Sequence, residues 1–244
     1  MMNAAFEELG LDWRYFKLPV PPERFAETTL ALPESGYKGV NVTIPHKLAA
    51  LELADERSEA AGAIGAANTL TFLDGTVAAD NTDAAGLLDS LPDSPEGRTA
   101  LVLGAGGAAR AAVWALRESG AKVAVWNRTA ERAAELAREL AVEHVPEPRV
   151  ADLLVNATAV GLEGQGEAEL LEALPLAELE FATVVDMPYA NEPTALTEWA
   201  RARGAAVVDG LELLVRQGAR SLERWTGRPA PLDAMRRGAA RASV

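Results

Sequence analysis

Cysteine is absent from all 244 residues, which excludes disulfides, thiolate metal sites and cysteine nucleophiles. Histidine is nearly absent: His46 and His144 are the two in the chain and stand far apart. That disfavours a histidine-based metal centre and leaves a carboxylate site open; no metal is expected. Basic charge is also short, with 23 Lys and Arg against 36 Asp and Glu and a formal net charge of −13. Such a surface repels polyanions, so neither nucleic acid nor an anionic membrane is expected as a partner. An anionic small molecule must then be held by a local positive pocket working against the global field. No apolar run approaches the roughly 18 residues of a membrane span, and no basic-then-apolar leader is evident, so the cytoplasm is the expected compartment. Internal repeats and low-complexity linkers are missing as well. What remains is a chain that is 49% apolar, long enough for one large α/β domain or two modest ones.

The segment Gly39-Val40-Asn41-Val42-Thr43-Ile44-Pro45-His46-Lys47 carries the strongest local signal. Its short β-branched run reads as a strand, and Pro45 as the first turn of a helix running to Asp55. Lys47 then lies in that first turn, where acidic residues are the usual choice and a cation faces the positive end of the helix dipole. This field, helped by burial, would bring the ammonium towards the range useful for proton transfer. Taken alone, the segment is equally compatible with a solvated surface lysine.

Around it, Trp13–Leu18 reads as a strand, Pro22–Leu30 as a helix, and Asn68–Phe72 with Thr76–Ala79 as a hairpin closed by Asp74-Gly75. Asp83 precedes an apolar helical pattern and, alone, reads as an N-cap. The Pro/Gly/Ser-rich turn Pro92–Gly97 marks the best boundary in composition. Beyond it, short apolar strands alternate with helices, the pattern of a parallel sheet. Thr99–Leu103 is a continuous apolar run suited to a strand buried on both faces. Gly104-Ala105-Gly106-Gly107-Ala108-Ala109 follows at once, then a helix to Ser119 and a strand at Ala121–Trp126. A glycine pattern between strand and helix inside a βαβ unit fits a pyrophosphate at a helix N-terminus. After the second strand, where an NAD enzyme places an acidic residue, the chain has Asn127-Arg128-Thr129, with Arg132 following. Two guanidinium groups and a hydroxyl suit a 2′-phosphate, so NADP is the expected cofactor. Asp152–Thr158, Phe181–Asp186 and Ala205–Asp209 read as further strands, with Tyr189 just beyond one of them. Leu211–Thr226 and Leu232–Ala242 read as helices whose Leu, Trp225 and Met235 side chains suit packing.

The ordered set of these pieces resembles the shikimate dehydrogenase family from about Asn3 to the C-terminus. The matching segments are Gly39–Lys47, Gly65–Thr69, Asp80–Asp83, Gly104–Arg110, Asn127–Thr129, Asn156–Gly161 and Gly210–Gly218. The resemblance implies an α/β protein of two lobes, an N-terminal substrate-binding domain and a Rossmann NADP-binding domain, with the C-terminal helices packing back on the first lobe. The expected division is residues 1–83 plus about 211–244, and residues 84–210. It implies Lys47 and Asp83 as the catalytic pair and Asn41, Thr43, Asn68, Gln217 and Tyr189 as substrate ligands. Cofactor contacts are expected from Gly104, Ala105, Gly106, Gly107, Ala108, Asn127, Arg128, Thr129, Arg132, Asn156, Thr158 and Gly210. The implied activity is NADP-dependent reduction of 3-dehydroshikimate to shikimate, by a monomer or homodimer. Chemically, a developing alkoxide needs a proton donor, and a polyhydroxylated ring suits amides that donate and accept together. By themselves Asn68 reads as turn chemistry and Gln217 as the rim of an apolar helix face.

The family also opens with a strand and a Ser-x-Ser turn that binds the substrate carboxylate, so roughly 15 residues are expected to be missing before Met1. Leu213 and Leu162 replace frequent methionines, and Asn191 a frequent proline after Tyr189. Three rivals follow. A relative could also oxidise quinate or prefer NAD. Glutamyl-tRNA reductase shares the glycine loop but needs a cysteine. An NADP-binding module could have lost catalysis with its first strand.

Overall fold

The computed structural model describes residues 1–160, 168, 170, 172, 174, 179–189 and 192–241. Gly161, Leu162, Asn191 and Ala242 lie outside the described residues. Two compact units are present, one made of Met1–Gly86 with Val215–Ala242, the other of Leu87–Leu214.

The first unit opens with helix α1 (Met2–Glu8) and, after a 3-10 turn at Pro22–Arg24, α2 (Phe25–Ala31). Strand β1 (Gly39–Asn41), helix α3 (Lys47–Leu53), β2 (Glu56–Arg57), α4 (Glu59–Ile64), β3 (Thr69–Leu73), β4 (Thr76–Asp80) and α5 (Thr82–Ser90) follow. Its sheet runs β1-β3-β4-β2, antiparallel except where β2 lies parallel to β4. Asp74 and Gly75 close the β3–β4 hairpin with φ of 48° and 81°, the pair of left-handed residues that matches strand twist. Phe25, Leu51, Leu70, Phe72 and Val77 form the core between this sheet and α2–α3.

Two expectations are corrected here, and one reading of a residue taken alone is set aside. Trp13–Leu18 is extended but is not a strand. The Asn3 side chain brackets it instead, donating to Tyr15 O at 2.9 Å and accepting from Tyr15 N at 2.7 Å. The helix expected from Pro45 starts at Lys47, because Thr43–His46 form a turn with His46 N donating to Thr43 O at 2.9 Å; the Ile44–Pro45 peptide is cis. Asp83 is not the N-cap of α5. Asn81 fills that position, its Oδ1 accepting from Ala84 N at 3.4 Å. Helix α4 was not legible as a pattern, yet it has ordinary ends: the Ser58 hydroxyl accepts from Ala61 N and Gly65 stops it in the left-handed region.

The second unit is built on β5 (Thr99–Leu103), α6 (Gly107–Glu118), β6 (Lys122–Trp126), α7 (Ala130–Glu139) and β7 (Glu143–His144). It continues through β8 (Leu153–Asn156), β9 (Thr183–Asp186), α8 (Ala195–Ala202) and β10 (Ala206–Val208). The sheet is parallel throughout, in the order β10-β9-β8-β5-β6-β7. Alternate residues of β5 serve opposite faces: Ala100 and Val102 pack with α6 residues Ala112, Val113 and Leu116, Leu101 and Leu103 with α8 residues Leu196 and Ala200. Both faces are covered, which is why β5 reads as a continuous apolar run. Strand order reverses between β5 and β8, and ligands bind at such switch points outside the carboxyl ends of the strands.

Helix α9 (Gly210–Thr226) leads from the second unit to the end of the first, and α10 (Leu232–Ala240) follows. Helix α10 packs on α1, with Gly238 close against Ala4 and Met1. Trp225 Nε1 donates to Leu70 O at 3.1 Å, and Met235 is fully buried. Both therefore serve packing, as their position in the sequence suggested.

Candidate active site

Lys47 is the first residue of α3. The turn before it is clamped by His46, whose ring lies 4.5 Å from that of Phe25 in a parallel stack and whose Nε2 meets Val20 O at 2.9 Å. This histidine is a packing group. Lys47 O accepts from Ala67 N at 2.9 Å, which ties the lysine to the chain just before Asn68. Its Nζ donates to Asp83 Oδ2 at 2.6 Å, with the two side chains 14% and 13% exposed. The reading of a solvated surface lysine is thus excluded, and the carboxylate offsets the unfavourable field of the helix terminus. Because Asn81 does the capping of α5, the Asp83 carboxylate is released to face Lys47.

Asp83 Oδ1 accepts from Asn68 Nδ2 at 2.8 Å, and the same amide nitrogen donates to Gln217 Oε1 at 3.3 Å. Asn68 Oδ1 in turn accepts from Thr82 N at 2.7 Å. An N–H on one side and a carboxylate on the other fix the orientation of this amide. Gln217 reaches Asn68 because α9 and α5 come very close. A Cβ on Gly86 would lie 2.7 Å from Gln217 N and 2.9 Å from Gln217 Cα, so only glycine fits there. Asn41, at the end of β1, donates through Nδ2 to Ser221 Oγ at 2.8 Å and Thr69 Oγ1 at 3.1 Å. Its Oδ1 accepts from the Tyr15 hydroxyl at 3.1 Å. Burial raises the Tyr15 pKa above its ordinary 10.0. Thr43 is exposed on the turn before α3.

Lys47, Asp83, Asn68, Gln217 and Asn41 are therefore one hydrogen-bonded group within the first unit. Tyr189 belongs to the second unit, where it is half-buried beyond β9. Tyr15, Thr69, Thr82 and Ser221 belong to the same network and were not singled out in the sequence. Ser221 lies one helical turn after Gln217 on α9, so the i, i+4 spacing was a usable signal. Thr69 and Thr82 each adjoin a residue already chosen.

In the second unit, Gly104 ends β5 with φ of 113°, and a Cβ there would lie 2.9 Å from Ala157 O. Gly106 is different: a Cβ would meet nothing within 4 Å, so protein packing does not explain the glycine. The open space lies before the N-terminus of α6, where the amides of Gly107 and Ala108 have no intrahelical acceptor, beside Ala105. Asn127 Nδ2 donates to Thr129 O at 3.0 Å, holding the turn that starts α7. Arg128 and Arg132 are exposed, and neither pairs with a carboxylate among the described residues. The neighbouring Arg110, by contrast, is bound to Glu139 at 2.6 Å. An anion in front of the glycine loop with a further phosphate at the arginines fits this surface. Asn156 is buried and committed to the fold: Nδ2 donates to Asp186 Oδ1 at 2.7 Å, and Oδ1 accepts from Thr158 Oγ1 at 2.7 Å. Gly210 is buried too, and a Cβ there would lie 2.2 Å from Pro188 O.

A parallel doubly wound sheet with a glycine loop at its switch point, in a chain that also holds a lysine–aspartate pair among amides, defines an α/β oxidoreductase of the dinucleotide-dependent class. Comparison with known proteins narrows the class. Residues 1–70 match the model of the shikimate dehydrogenase substrate binding domain. Residues 87–161 match that of shikimate/quinate 5-dehydrogenase, and residues 210–237 that of the shikimate 5'-dehydrogenase C-terminal domain. The shikimate dehydrogenase (NADP(+)) of Methanothermobacter thermautotrophicus is 41% identical over 250 residues, covering 96% of this chain and 88% of that protein. That of Methanopyrus kandleri is 41% identical over 256 residues, covering 97% and 88%. The crystal structure of shikimate 5-dehydrogenase from Thermus thermophilus in complex with NADP(H) and shikimate superposes with a TM-score of 0.89 at 40% identity, covering 100% of this chain and 93% of that one. The chain belongs to the shikimate dehydrogenase family.

Proposed function

We propose that this protein is an NADP-dependent shikimate dehydrogenase, interconverting 3-dehydroshikimate and shikimate on the route to chorismate and the aromatic amino acids. The observation that carries the reading is the Lys47–Asp83 pair at 2.6 Å, bracketed by Asn68 in a chain of this family. The first unit is read as the substrate-binding part and the second as the cofactor-binding part, with the units dividing after Gly86 and after Leu214. Gly104–Ala108 and the α6 amides would hold the pyrophosphate, and Asn127, Arg128, Thr129 and Arg132 the adenosine 2′-phosphate. Asn156 would shape the Thr158 loop through its own hydrogen bonds, and Gly210 would admit the Pro188–Tyr189 backbone. When bound, NADPH supplies the hydride that reduces the ring ketone.

The chain's own groups handle the proton and the orientation. As the C=O bond of 3-dehydroshikimate becomes a single bond, negative charge gathers on its oxygen. Lys47 Nζ donates a proton there, forming the O–H bond of shikimate, and the reverse reaction returns that proton to the amine. Asp83 holds the Lys47 side chain in place at 2.6 Å. Asn41, Thr43, Asn68 and Gln217 orient the ring by hydrogen bonds to its hydroxyls, and Tyr189, carried by the second unit, is a further candidate ligand. A positioned donor of this kind contributes about 10²–10⁴-fold. The acidic surface, with net charge −13, supports a reading without nucleic-acid partners. No described helix is long and apolar enough to cross a membrane; a cytoplasmic enzyme, monomer or homodimer, is part of the same proposal.

The test is NADPH formation, followed by near-ultraviolet absorbance, with shikimate and NADP. Turnover lost in Lys47→Ala supports the reading. Cofactor binding without turnover by the native chain sinks it and leaves an NADP-binding module. Quinate in the same assay decides the other substrate, since one matching family model covers shikimate and quinate enzymes alike.

A further inference from the structure

Three hydroxyls with almost no solvent exposure, those of Thr69, Thr82 and Ser221, stand together at the amides of Asn41 and Asn68. Ser221 Oγ lies 2.8 Å from Thr69 Oγ1 and 3.1 Å from Thr82 Oγ1, and Thr69 Oγ1 lies 3.2 Å from Thr82 Oγ1. The cluster also donates outward. Ser221 Oγ reaches Gln217 O at 3.1 Å, and Asn68 Oδ1 lies 3.1 Å from Thr69 Oγ1 and 3.2 Å from Thr82 Oγ1. Each hydroxyl has a single proton and two lone pairs. Three protons therefore face more acceptor sites than they can serve, so the cluster has room for donors from outside.

Asn41 is such a donor. Its Nδ2 faces Ser221 Oγ at 2.8 Å, Thr69 Oγ1 at 3.1 Å and Asn68 O at 3.5 Å. The flipped amide would turn Oδ1 towards the Asn68 carbonyl oxygen, which can only accept and lies 3.5 Å from Nδ2. That carbonyl favours Asn41 with Nδ2 inward and Oδ1 towards Tyr15. One lone pair of Oδ1 takes the Tyr15 proton and the other is left for a ligand. Ser221 makes the shortest of these Nδ2 contacts. It is also the member of the cluster on α9, the helix that carries Gln217.

We propose that Ser221 is a positioning residue of the substrate site, holding the Asn41 amide so that Oδ1 accepts a proton from a substrate hydroxyl. The proposal rests on the reading of the first unit as a shikimate-binding site. It assigns Asn41 the role of acceptor, and it makes the buried hydroxyl on α9, which touches no substrate, part of the substrate affinity.

The test compares the native enzyme, Ser221→Ala, Asn41→Ala and the double variant, with shikimate and NADP varied separately. Ser221→Ala is expected to raise KM for shikimate about 10-fold, with kcat within about two-fold and KM for NADP unchanged. In the Asn41→Ala background the same change should add less than about two-fold, because its effect runs through Asn41. An unchanged KM for shikimate, or an equal penalty in both backgrounds, overturns the proposal while leaving the dehydrogenase reading intact. If the native chain does not turn shikimate over, the dehydrogenase reading falls, and the positioning is decided by NMR of the Asn side-chain amides. Slow exchange of the Asn41 NH₂ protons in the native protein, with their signals displaced in Ser221→Ala, upholds it. Fast exchange in the native protein overturns it, even if the variant fails to fold.

Discussion

The two units handle polar groups differently. In the first, the candidate side chains are already bonded to one another: Lys47 to Asp83, Asp83 to Asn68, Asn68 to Gln217 and Thr82, Asn41 to Ser221 and Tyr15. In the second, Asn127 and Asn156 are likewise bonded into the fold, but the space beside Gly106 and the guanidinium groups of Arg128 and Arg132 are left open. Chemistry on a small ring needs atoms held in place, and a satisfied network locks rotamers before substrate arrives. A long cofactor with a pyrophosphate and a 2′-phosphate needs charge and backbone donors along its length, and these work from flexible side chains and helix ends. On the proposed function, the bonded group is the reacting end and the open one the binding end.

The largest test of that contrast is Lys47→Ala. We expect kcat to fall by about 10²–10⁴-fold, with NADP affinity, measured by fluorescence titration, unchanged. A parallel loss of cofactor affinity would erase the distinction. Next comes the glycine loop. Gly106→Ala should leave the melting temperature in place, since its Cβ meets nothing within 4 Å, yet weaken NADP by about 10-fold or more as the methyl takes the cofactor's space. Gly104→Val should instead cost about 1–3 kcal/mol of stability through backbone strain. Equal melting curves for the two would refute the difference drawn between them.

Removing the open arginines has a smaller effect. Arg128→Ala combined with Arg132→Ala should raise KM for NADP by about 10- to 100-fold, from the loss of charge-assisted bonds worth about 1.5–3 kcal/mol each in the most favourable case. KM for NAD and for shikimate should not move, and a shift in either would show that these side chains serve something other than the 2′-phosphate.

The last two tests use pH, and they strike the units from opposite ends. Burial raises the Tyr15 pKa above 10.0, so the folded chain holds the phenol proton more tightly than the unfolded one. That contribution to stability is complete below pH 10 and is lost as pH rises through the folded value. Tyr15→Phe should flatten the alkaline limb of the denaturation profile. Smallest of all is Asp152, whose carboxylate accepts from Thr99 N at 2.8 Å and Thr99 Oγ1 at 2.7 Å. Those bonds, the backbone one first, hold its pKa below the ordinary 3.8. Its contribution is present above pH 3.8 and lost as pH falls through the folded value. Asp152→Asn should soften acid unfolding only slightly, because the group is in solvent.

Much of this was legible in the chain because local rules wrote it. Asp74-Gly75 takes two left-handed residues and closes a hairpin; Thr99–Leu103 is apolar throughout because both faces are covered; Gly104–Ala109 sits between strand and helix. Other features were hidden because a distant partner decides them. Trp13–Leu18 has the alternation of a strand, but Asn3 holds it where a strand would. Asp83 has the look of a cap, and Asn81, two residues earlier, takes that duty. Ser221 reads as an ordinary helix serine until Asn41 and Thr69 are brought to it from the other end of the chain.

The sequence by itself determined the elements, the glycine loop, the missing acidic residue after β6 and the inventory of amides and charges, since each depends on residues close along the chain. Only the tertiary structure decided which of those groups meet. Lys47 and Asp83 are 36 residues apart and Asn41 and Ser221 are 180 apart. Hydrogen bonds act over about 3 Å, so a site made of them exists only once packing has brought its parts together.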